Sequence, residues 1–256
     1  MTAATRARFA ELVRADQVDV GLACLLVGCE SEPDLDLDAS LDVLDALAAT
    51  ARPLVARLGP AEGLRVALGE HAGFAGSAAD YDDVRSSLLH EVLRRGRGLP
   101  ILLSVVWCEV AARLDVTAVP LGVPGHVLVC VGDPLDEHVV VDPFHGGRGA
   151  EVAPDPVLQP VELLLRLLTN IRALTARQER SLDTARTRLW ATELSLLLPR
   201  HPVSLRRERG ELLVRLGDHL GGAAELEEYA SLVEALDEQE ADLARRQGRL
   251  ARARLN

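Results

Sequence analysis

The feature that most constrains the fold is a change of hydrophobic period near residue 115. Before it, residues 100–114 (PILLSVVWCEVAARL) are apolar almost all round, which predicts a helix buried on nearly every side. After it come three runs rich in β-branched residues and bounded by Gly, Pro and Asp, which predict strands: TAVPLGV, GHVLVCVG and EHVVVDP. A buried helix followed by consecutive short strands indicates an α+β fold with an antiparallel sheet.

Helical periodicity flanks this central part on both sides. Residues 5–58 place apolar residues three and four positions apart, so residues 1–70 are predicted to be an N-terminal helical segment of the core. The core itself is expected over residues 71–150, and the Pro- and Gly-containing residues 146–160 indicate a boundary. Residues 160–256 are helical again, and their two helix pairs of similar length suggest either tetratricopeptide-like repeats or an ordinary helical bundle.

The composition argues against several partners and chemistries. The formal net charge of -11 disfavours nucleic acid or an anionic membrane as partner, because both are bound through clustered positive charge. All 28 basic residues are arginine, so no lysine can act as an amine nucleophile. Residues 1–16 carry charges throughout, unlike a signal peptide, and no apolar run is long enough for a membrane helix.

The cysteines point to a reducing compartment. Cys24, Cys29, Cys108 and Cys130 lie in apolar surroundings and lack CxxC spacing. Free cysteines of this kind are usually buried and reduced, so a cytoplasmic location is expected. The sequence indicates no cofactor and does not define an oligomeric state.

Two polar residues at strand positions suggest part of a catalytic triad. His126 opens the second predicted strand and Asp142 closes the third, so the aspartate could orient the imidazole. A cysteine at the N-terminus of a buried helix would complete such a triad, because the helix dipole lowers the thiol pKa. The chain has a buried helix ahead of this pair, so the scaffold fits the chemistry.

Three stretches resemble the SirB1-like branch of the transglutaminase-like superfamily: residues 73–114, GVPGHVLVCV and VVVDPFHGG. The resemblance covers roughly residues 20 to 250. It implies an α+β transglutaminase/papain-like core followed by an all-α region of tetratricopeptide-like helices.

The same resemblance implies roles for individual residues. His126 and Asp142 fall at the histidine and aspartate of the family's triad. The loop that holds Tyr81 and Arg85 borders the cleft, so both residues are candidate ligand contacts. His145 stands where the resembling family often has asparagine and is a third candidate contact.

The chain departs from the family at the nucleophile. Counting back from Asp115, where the family usually has glycine, places the catalytic cysteine position at Pro100 or Ile101. Cys108 lies further along, roughly 11 to 12 Å on the helix axis, so a rigid helix cannot bring it to the same histidine. Ser104 is either a substitute nucleophile or a serine that bonds a backbone carbonyl.

The sequence places two other kinds of reactive group near His126, a thiol and a set of metal ligands. Cys130 follows it by four residues on the same strand, so the thiol points alongside the imidazole and not toward it. His126, His138, Asp142 and His145 could supply two histidines and a carboxylate to a metal used in hydrolysis. Because no HxH or HExxH pattern supports this alternative, the sequence predicts no metal.

Two functions from different classes follow. The leading hypothesis is a transglutaminase-like protein without the usual cysteine, which binds a peptide or protein partner as a scaffold module and keeps the His126–Asp142 pair for structure. The alternative is an acyl transferase or amidase with His126 as general base and Asp142 as its orienting group. In that alternative, Ser104 or a thiol is the nucleophile.

Overall fold

The computed structural model of the protein describes residues 2–153 and 156–254. The chain divides into two compact units, Met1–Leu167 and Leu168–Asn256. The division falls within the helix that begins at Pro160, whose first turns pack with the first unit. No helix in the described residues combines the length and apolar character that a membrane span needs.

Helices make up the first unit ahead of its sheet. In the described part of that unit they are α1 (Ala3–Leu12), α2 (Val20–Gly28), α3 (Leu37–Leu58), α4 (Pro60–Leu64), α5 (Leu89–Arg95) and α6 (Pro100–Ala112). Helix α4 continues as a π-helical segment, Arg65–His71. Two 3-10 turns, Ala78–Asp82 and Val84–Ser87, lead into α5.

Helix α6 is the central element of the first unit, as its apolar sequence predicts. Ten of its thirteen residues are buried, and it packs against α3 and the first two strands of the sheet. Its start is set locally: Gly96 ends α5 in the left-handed conformation, and Pro100 takes the first turn, where a missing N–H breaks no helical hydrogen bond. The predicted buried helix is therefore confirmed.

The sheet is antiparallel, with its strands in sequence order: β1 (Ala118–Val123), β2 (His126–Gly132), β3 (His138–Asp142) and β4 (Arg148–Gly149). The three predicted strands and the α+β plan are confirmed, and the two-residue β4 is an addition. Val129 lies opposite Val141, which places Asp142 opposite Leu128. Since side chains alternate along a strand, His126 and Asp142 lie diagonally on one face of the sheet.

The outer edge of β1 is also paired. The amide of Gly122 donates to the Pro156 carbonyl at 2.9 Å, and the amide of Leu158 donates to the Pro120 carbonyl at 2.8 Å. Residues 156–158 thus run antiparallel to β1 along its outer edge.

The acidic segment before α5 contains a buried carboxylate, although Gly- and Asp-rich sequences are typical of exposed turns. Asp80 is 1% exposed, and its carboxylate accepts hydrogen bonds from Ser77, Ser86 and Arg97. Burial raises the pKa of Asp80, but these hydrogen bonds lower it by more, so the group stays ionised. The acidic segment, which is typical in sequence of residues that cap a helix, therefore contains one carboxylate that is buried and has a structural role.

The second unit is all-helical in its described residues. Its helices are α7 (Pro160–Arg177), which begins in the first unit, α8 (Leu182–Leu197), α9 (Ser204–Arg215), α10 (His219–Val233) and α11 (Glu238–Ala253). From α8 onward each helix packs on the next, and α9 approaches α10 closely where Gly210 faces Gly222. This neighbour-to-neighbour packing is compatible with the predicted tetratricopeptide-like repeats.

Candidate functional site

The structure brings His126 and Asp142 together at one end of the sheet. The Nε2 atom of His126 lies 3.0 Å from each carboxylate oxygen of Asp142. Both side chains are partly buried, with exposed fractions of 21% and 15%. With its proton on Nε2, the imidazole donates to the carboxylate, and the Nδ1 atom is left as an acceptor.

The backbone around Asp142 fixes the direction of its carboxylate. Asp142 caps the 3-10 turn Pro143–His145, and its Oδ1 atom accepts a hydrogen bond from the Phe144 amide at 2.9 Å. The turn ends with Gly146 and Gly147 at positive φ values of 70° and 80°, a conformation that glycine adopts without strain. The sequence HGG therefore sets the path of the chain beside the carboxylate.

His145 is a second imidazole on the same carboxylate. Its Nδ1 atom lies 2.7 Å from Oδ2 of Asp142, and its side chain is 58% exposed. Burial raises the pKa of Asp142, but the hydrogen bonds from His145 and His126 outweigh burial and hold the pKa below its usual value. Asp142 therefore stays ionised between two histidines.

Aromatic rings form one wall of the site. The Phe144 ring meets the His126 imidazole edge to face at 5.7 Å, and the half-exposed Tyr81 ring lies 5.8 Å from Phe144. Burial and the nearby charge of Asp142 raise the pKa of Tyr81, so its hydroxyl keeps the proton and remains a donor. Sequence reasoning did not single out Phe144; its place in the DPF motif was the available signal.

Close packing holds Phe144 in place. The Gly76 amide donates to the Phe144 carbonyl at 2.9 Å. A Cβ atom at Gly76 would lie only 2.0 Å from the Phe144 ring, so glycine is required there. The segment before α5 therefore reaches the site through both Gly76 and Tyr81.

Arg166 is a second residue that sequence reasoning missed. From the first turns of α7, its Nη2 atom donates to the backbone carbonyls of Val123 and His126 at 3.0 and 2.9 Å. This guanidinium joins the ends of β1 and β2 and fixes the start of the strand that carries the imidazole. An isolated arginine in the apolar run LLLRLL was the signal for such a role.

Arg85, a predicted ligand contact, is not brought to this site. Its guanidinium pairs with Asp83 at 3.0 Å, and its side chain is 62% exposed. In the described residues no contact joins Arg85 to His126 or Asp142. Of the three predicted contacts, the structure therefore places Tyr81 and His145 beside Asp142.

The start of α6 provides no exposed nucleophile. Pro100 and Ile101, the positions implied for the cysteine, are both buried. Ser104 is completely buried, and its hydroxyl donates to the carbonyl of Ile101 at 2.7 Å. Its hydrogen bond is local to the helix, which is the structural role that a serine in a helix commonly takes.

The thiols are also in unreactive positions. Cys24, Cys29 and Cys130 are buried, and Cys108 lines a cavity of about 600 Å³ beside β1. Burial raises the pKa of all four thiols. Cys130 is four residues from His126, which is about 13 Å along an extended strand. In the described part of the chain, His126 has no hydrogen bond to a cysteine.

A buried helix, an antiparallel sheet and a His–Asp pair on neighbouring strands define a transglutaminase-like core. The chain belongs to the transglutaminase-like superfamily, because the family model of that description matches residues 38–188, more than half of the chain.

The chain is also similar to proteins from Xylella fastidiosa and Mus musculus. UPF0162 proteins from two strains of Xylella fastidiosa are 33% identical to the chain over 183 residues, which is 62% of this chain and 63% of each relative. The chain thus spans about 63% of the length of these relatives. F-box only protein 21 from Mus musculus is 32% identical over 82 residues, 29% of this chain and 13% of that protein. No solved structure matches the chain.

Proposed function

We propose that the chain is a transglutaminase-like protein without the nucleophilic cysteine, and that it binds a peptide or protein as a scaffold module. The binding surface is the one formed by Tyr81, His126, Phe144 and His145, called here the His126 surface. One observation carries the proposal. His126 and Asp142 form a hydrogen-bonded pair, whereas the start of α6, where the resemblance places the catalytic cysteine, holds Pro100 and Ile101.

The chemistry of the His126 surface supports peptide as the ligand. Tyr81 and Phe144 supply ring faces, and the Tyr81 hydroxyl and the two imidazoles supply hydrogen-bonding groups at the same place. Aromatic groups beside a few fixed polar atoms are typical of sites that bind peptide side chains and backbone amides. The concave face of the C-terminal helices is a second proposed surface, as the SirB1-like and tetratricopeptide-like resemblance implies.

Composition supports two further parts of the proposal. The net charge of -11 disfavours a nucleic-acid partner. Four free cysteines, three of them buried, favour the reducing cytoplasm as the location.

The second candidate function is an acyl transferase or amidase. The 3.0 Å contact of His126 with Asp142 favours it, because a general base needs such an orienting carboxylate. Ser104 would have to leave its bond to a backbone carbonyl and a fully buried position, and Cys108 has a raised thiol pKa. These obstacles favour the binding function.

Peptide selection tests the binding function. A random peptide library is selected on the immobilised chain in the presence of EDTA, and the affinities of the selected peptides are measured by fluorescence anisotropy. Tyr81→Ala should weaken binding at least about tenfold, which is about 1.4 kcal/mol. His138→Ala removes an exposed imidazole from the same sheet and should leave the affinity unchanged. A library that yields no ligand, or ligands indifferent to Tyr81→Ala, refutes this surface.

Alkylation tests the enzymatic alternative. The rate at which each cysteine is alkylated is measured against pH by mass spectrometry, for the native chain and for His126→Ala. The binding function predicts slow alkylation that is independent of His126. A thiol that reacts fast near about pH 6, and loses this reactivity without His126, would instead identify a thiolate–imidazolium pair.

A further inference from the structure

Asp142 lies between two histidines, and the family's triad accounts for one of them. The ligating atoms of His126, Asp142 and His145 all lie within 4.8 Å of one another. His138, the fourth residue grouped with them in the sequence, is exposed, and its Nδ1 atom lies 2.9 Å from the Asp136 carbonyl. The structure therefore selects His145 as the second histidine of the cluster.

The spacing of the three groups matches a shared metal ion. Nitrogen and oxygen ligands at 2.0 to 2.2 Å from one ion are about 3.0 Å apart at a right angle and about 3.4 Å apart at a tetrahedral angle. The nitrogens of His126 and His145 lie 3.0 and 2.7 Å from the Asp142 oxygens. Ligand geometry is reached when these contacts open by a few tenths of an ångström and each imidazole carries its proton on the other ring nitrogen.

Charge at the cluster favours a cation. Among the described residues, the ion-pair partners of Asp142 are the two imidazoles, and no arginine pairs with it. A second cluster with similar atoms, Glu32, His90 and Glu91, differs because Arg94 already binds both of its glutamates. The negative charge of Asp142 is thus available to an ion, whereas that of the second cluster is already paired.

Access and support also suit an ion at the first cluster. His145 sits on a turn with more than half of its side chain exposed, so an ion and its water can reach the carboxylate. The Phe144 amide holds Oδ1 of Asp142, and Arg166 holds the backbone of His126. Fixed hydrogen bonds behind the ligands are a usual requirement of a metal site.

We infer that His126, Asp142 and His145 form a binding site for a divalent transition ion of the zinc class. Two imidazoles with one carboxylate suit Zn²⁺ or Co²⁺, whereas Ca²⁺ and Mg²⁺ prefer oxygen ligands alone. Three protein ligands leave at least one position for water. This site goes beyond the proposed peptide binding and does not depend on it, because the ion needs no peptide.

The test is a metal titration of the full chain, freed of any affinity tag and of bound metal. Zn²⁺ alone is titrated by calorimetry at about pH 7.5, where imidazoles are mostly neutral and can bind metal. The expected result is one site per chain that weakens at least about tenfold in His145→Asn. His138→Asn is the matched control and should bind Zn²⁺ like the wild type.

Two outcomes of the titration would overturn the inference. One is a wild-type affinity equal to that of His145→Asn, and the other is an equal loss in His138→Asn. His145 is exposed on a turn, so its replacement is expected to preserve the fold, and circular dichroism verifies this. If His126→Asn also folds, it should lose Zn²⁺ to a similar extent.

Co²⁺ identifies the ligand atoms independently of affinity. Bound at His126, Asp142 and His145, Co²⁺ should give visible d–d absorption without the thiolate-to-cobalt band that cysteine ligands produce. A thiolate band would place the ion at a cysteine and refute the site. Because the peptide selection is run in EDTA, failure of peptide binding and failure of metal binding remain separate results.

Discussion

Replacing Asp80 with asparagine tests whether a buried charge holds the segment that carries Tyr81. Asp80 is 1% exposed and accepts six hydrogen bonds of 2.8 to 3.5 Å. Two of these come from the guanidinium of Arg97, one comes from Arg95, and the others come from Ser77 and Ser86. Asparagine keeps one acceptor oxygen and turns the other into a donor, so part of the network faces a group of the wrong kind.

The expected loss follows from the bonds that change. Hydrogen bonds to a charged group contribute about 1.5 to 3 kcal/mol each, and a buried ion pair that loses one partner costs about 3 to 5 kcal/mol. Because the Arg97 side chain is 47% exposed, water can solvate it when the carboxylate is gone. We therefore expect Asp80→Asn to lower the free energy of unfolding by about 2 to 3 kcal/mol at neutral pH.

The pH dependence gives the sharper test. The pKa of Asp80 in the folded chain is lowered below 3.8, so its stabilisation is present above that value and is lost as the pH falls through the folded pKa. The difference in unfolding free energy between wild type and Asp80→Asn should therefore stay constant from about pH 8 to pH 5 and shrink below about pH 4.

Urea unfolding followed by circular dichroism measures both quantities. Asp16→Asn changes an exposed aspartate and should shift stability by less than about 0.5 kcal/mol. A loss of under about 1 kcal/mol for Asp80→Asn at pH 7, or an equal loss at pH 7 and pH 3.5, would refute a buried ionised carboxylate.

Three other substitutions test backbone conformation, hydrogen bonding and close packing in the first unit. Asp115 has a φ of 58°, so Asp115→Gly should stabilise the chain by about 0.5 to 1 kcal/mol, and an unchanged melting temperature would contradict this. Arg166→Leu removes the two hydrogen bonds that the guanidinium donates to backbone carbonyls of β1 and β2 and should cost about 1 to 3 kcal/mol in urea unfolding, unlike Arg186→Leu on an exposed helix face. Gly69→Ala brings a Cβ atom within 2.1 Å of the Gly146 carbonyl oxygen and should cost about 1 to 3 kcal/mol; thermal melting at the wild-type temperature would refute this close contact.

The central elements of the fold could be predicted because their signals are local. Apolar residues all round residues 100–114 define α6, and β-branched runs define β1 to β3. Strand β4 has two residues and carries no such run, so only its pairing with β3 reveals it. The buried state of Asp80 was missed for a different reason: its partner Arg97 is seventeen residues away, and a run of acidic residues looks the same whether solvated or paired.

The candidate site, like the fold, could be predicted from the sequence only in part. His126 and Asp142 could be selected from their strand positions, because the two strands are adjacent and side chains alternate. The contact between His145 and Asp142 depends on the path of a tight turn, and the tilted contact of the Tyr81 ring with Phe144 depends on a segment more than sixty residues earlier in the chain. Neither contact can be predicted from the spacing of apolar residues along the sequence.

The paired outer edge of β1 limits how any partner can attach. Exposed strand edges recruit further strands, either from a ligand peptide or from another copy that aggregates. Here residues 156–158 already occupy backbone groups of Pro120 and Gly122, and the opposite edge is the two-residue β4. In the described residues, the outer edge of β1 is therefore closed to strand addition by a ligand or by another copy. A partner at this edge is recognised through side chains, which makes selectivity depend on the identity of a few residues instead of a generic main-chain ladder.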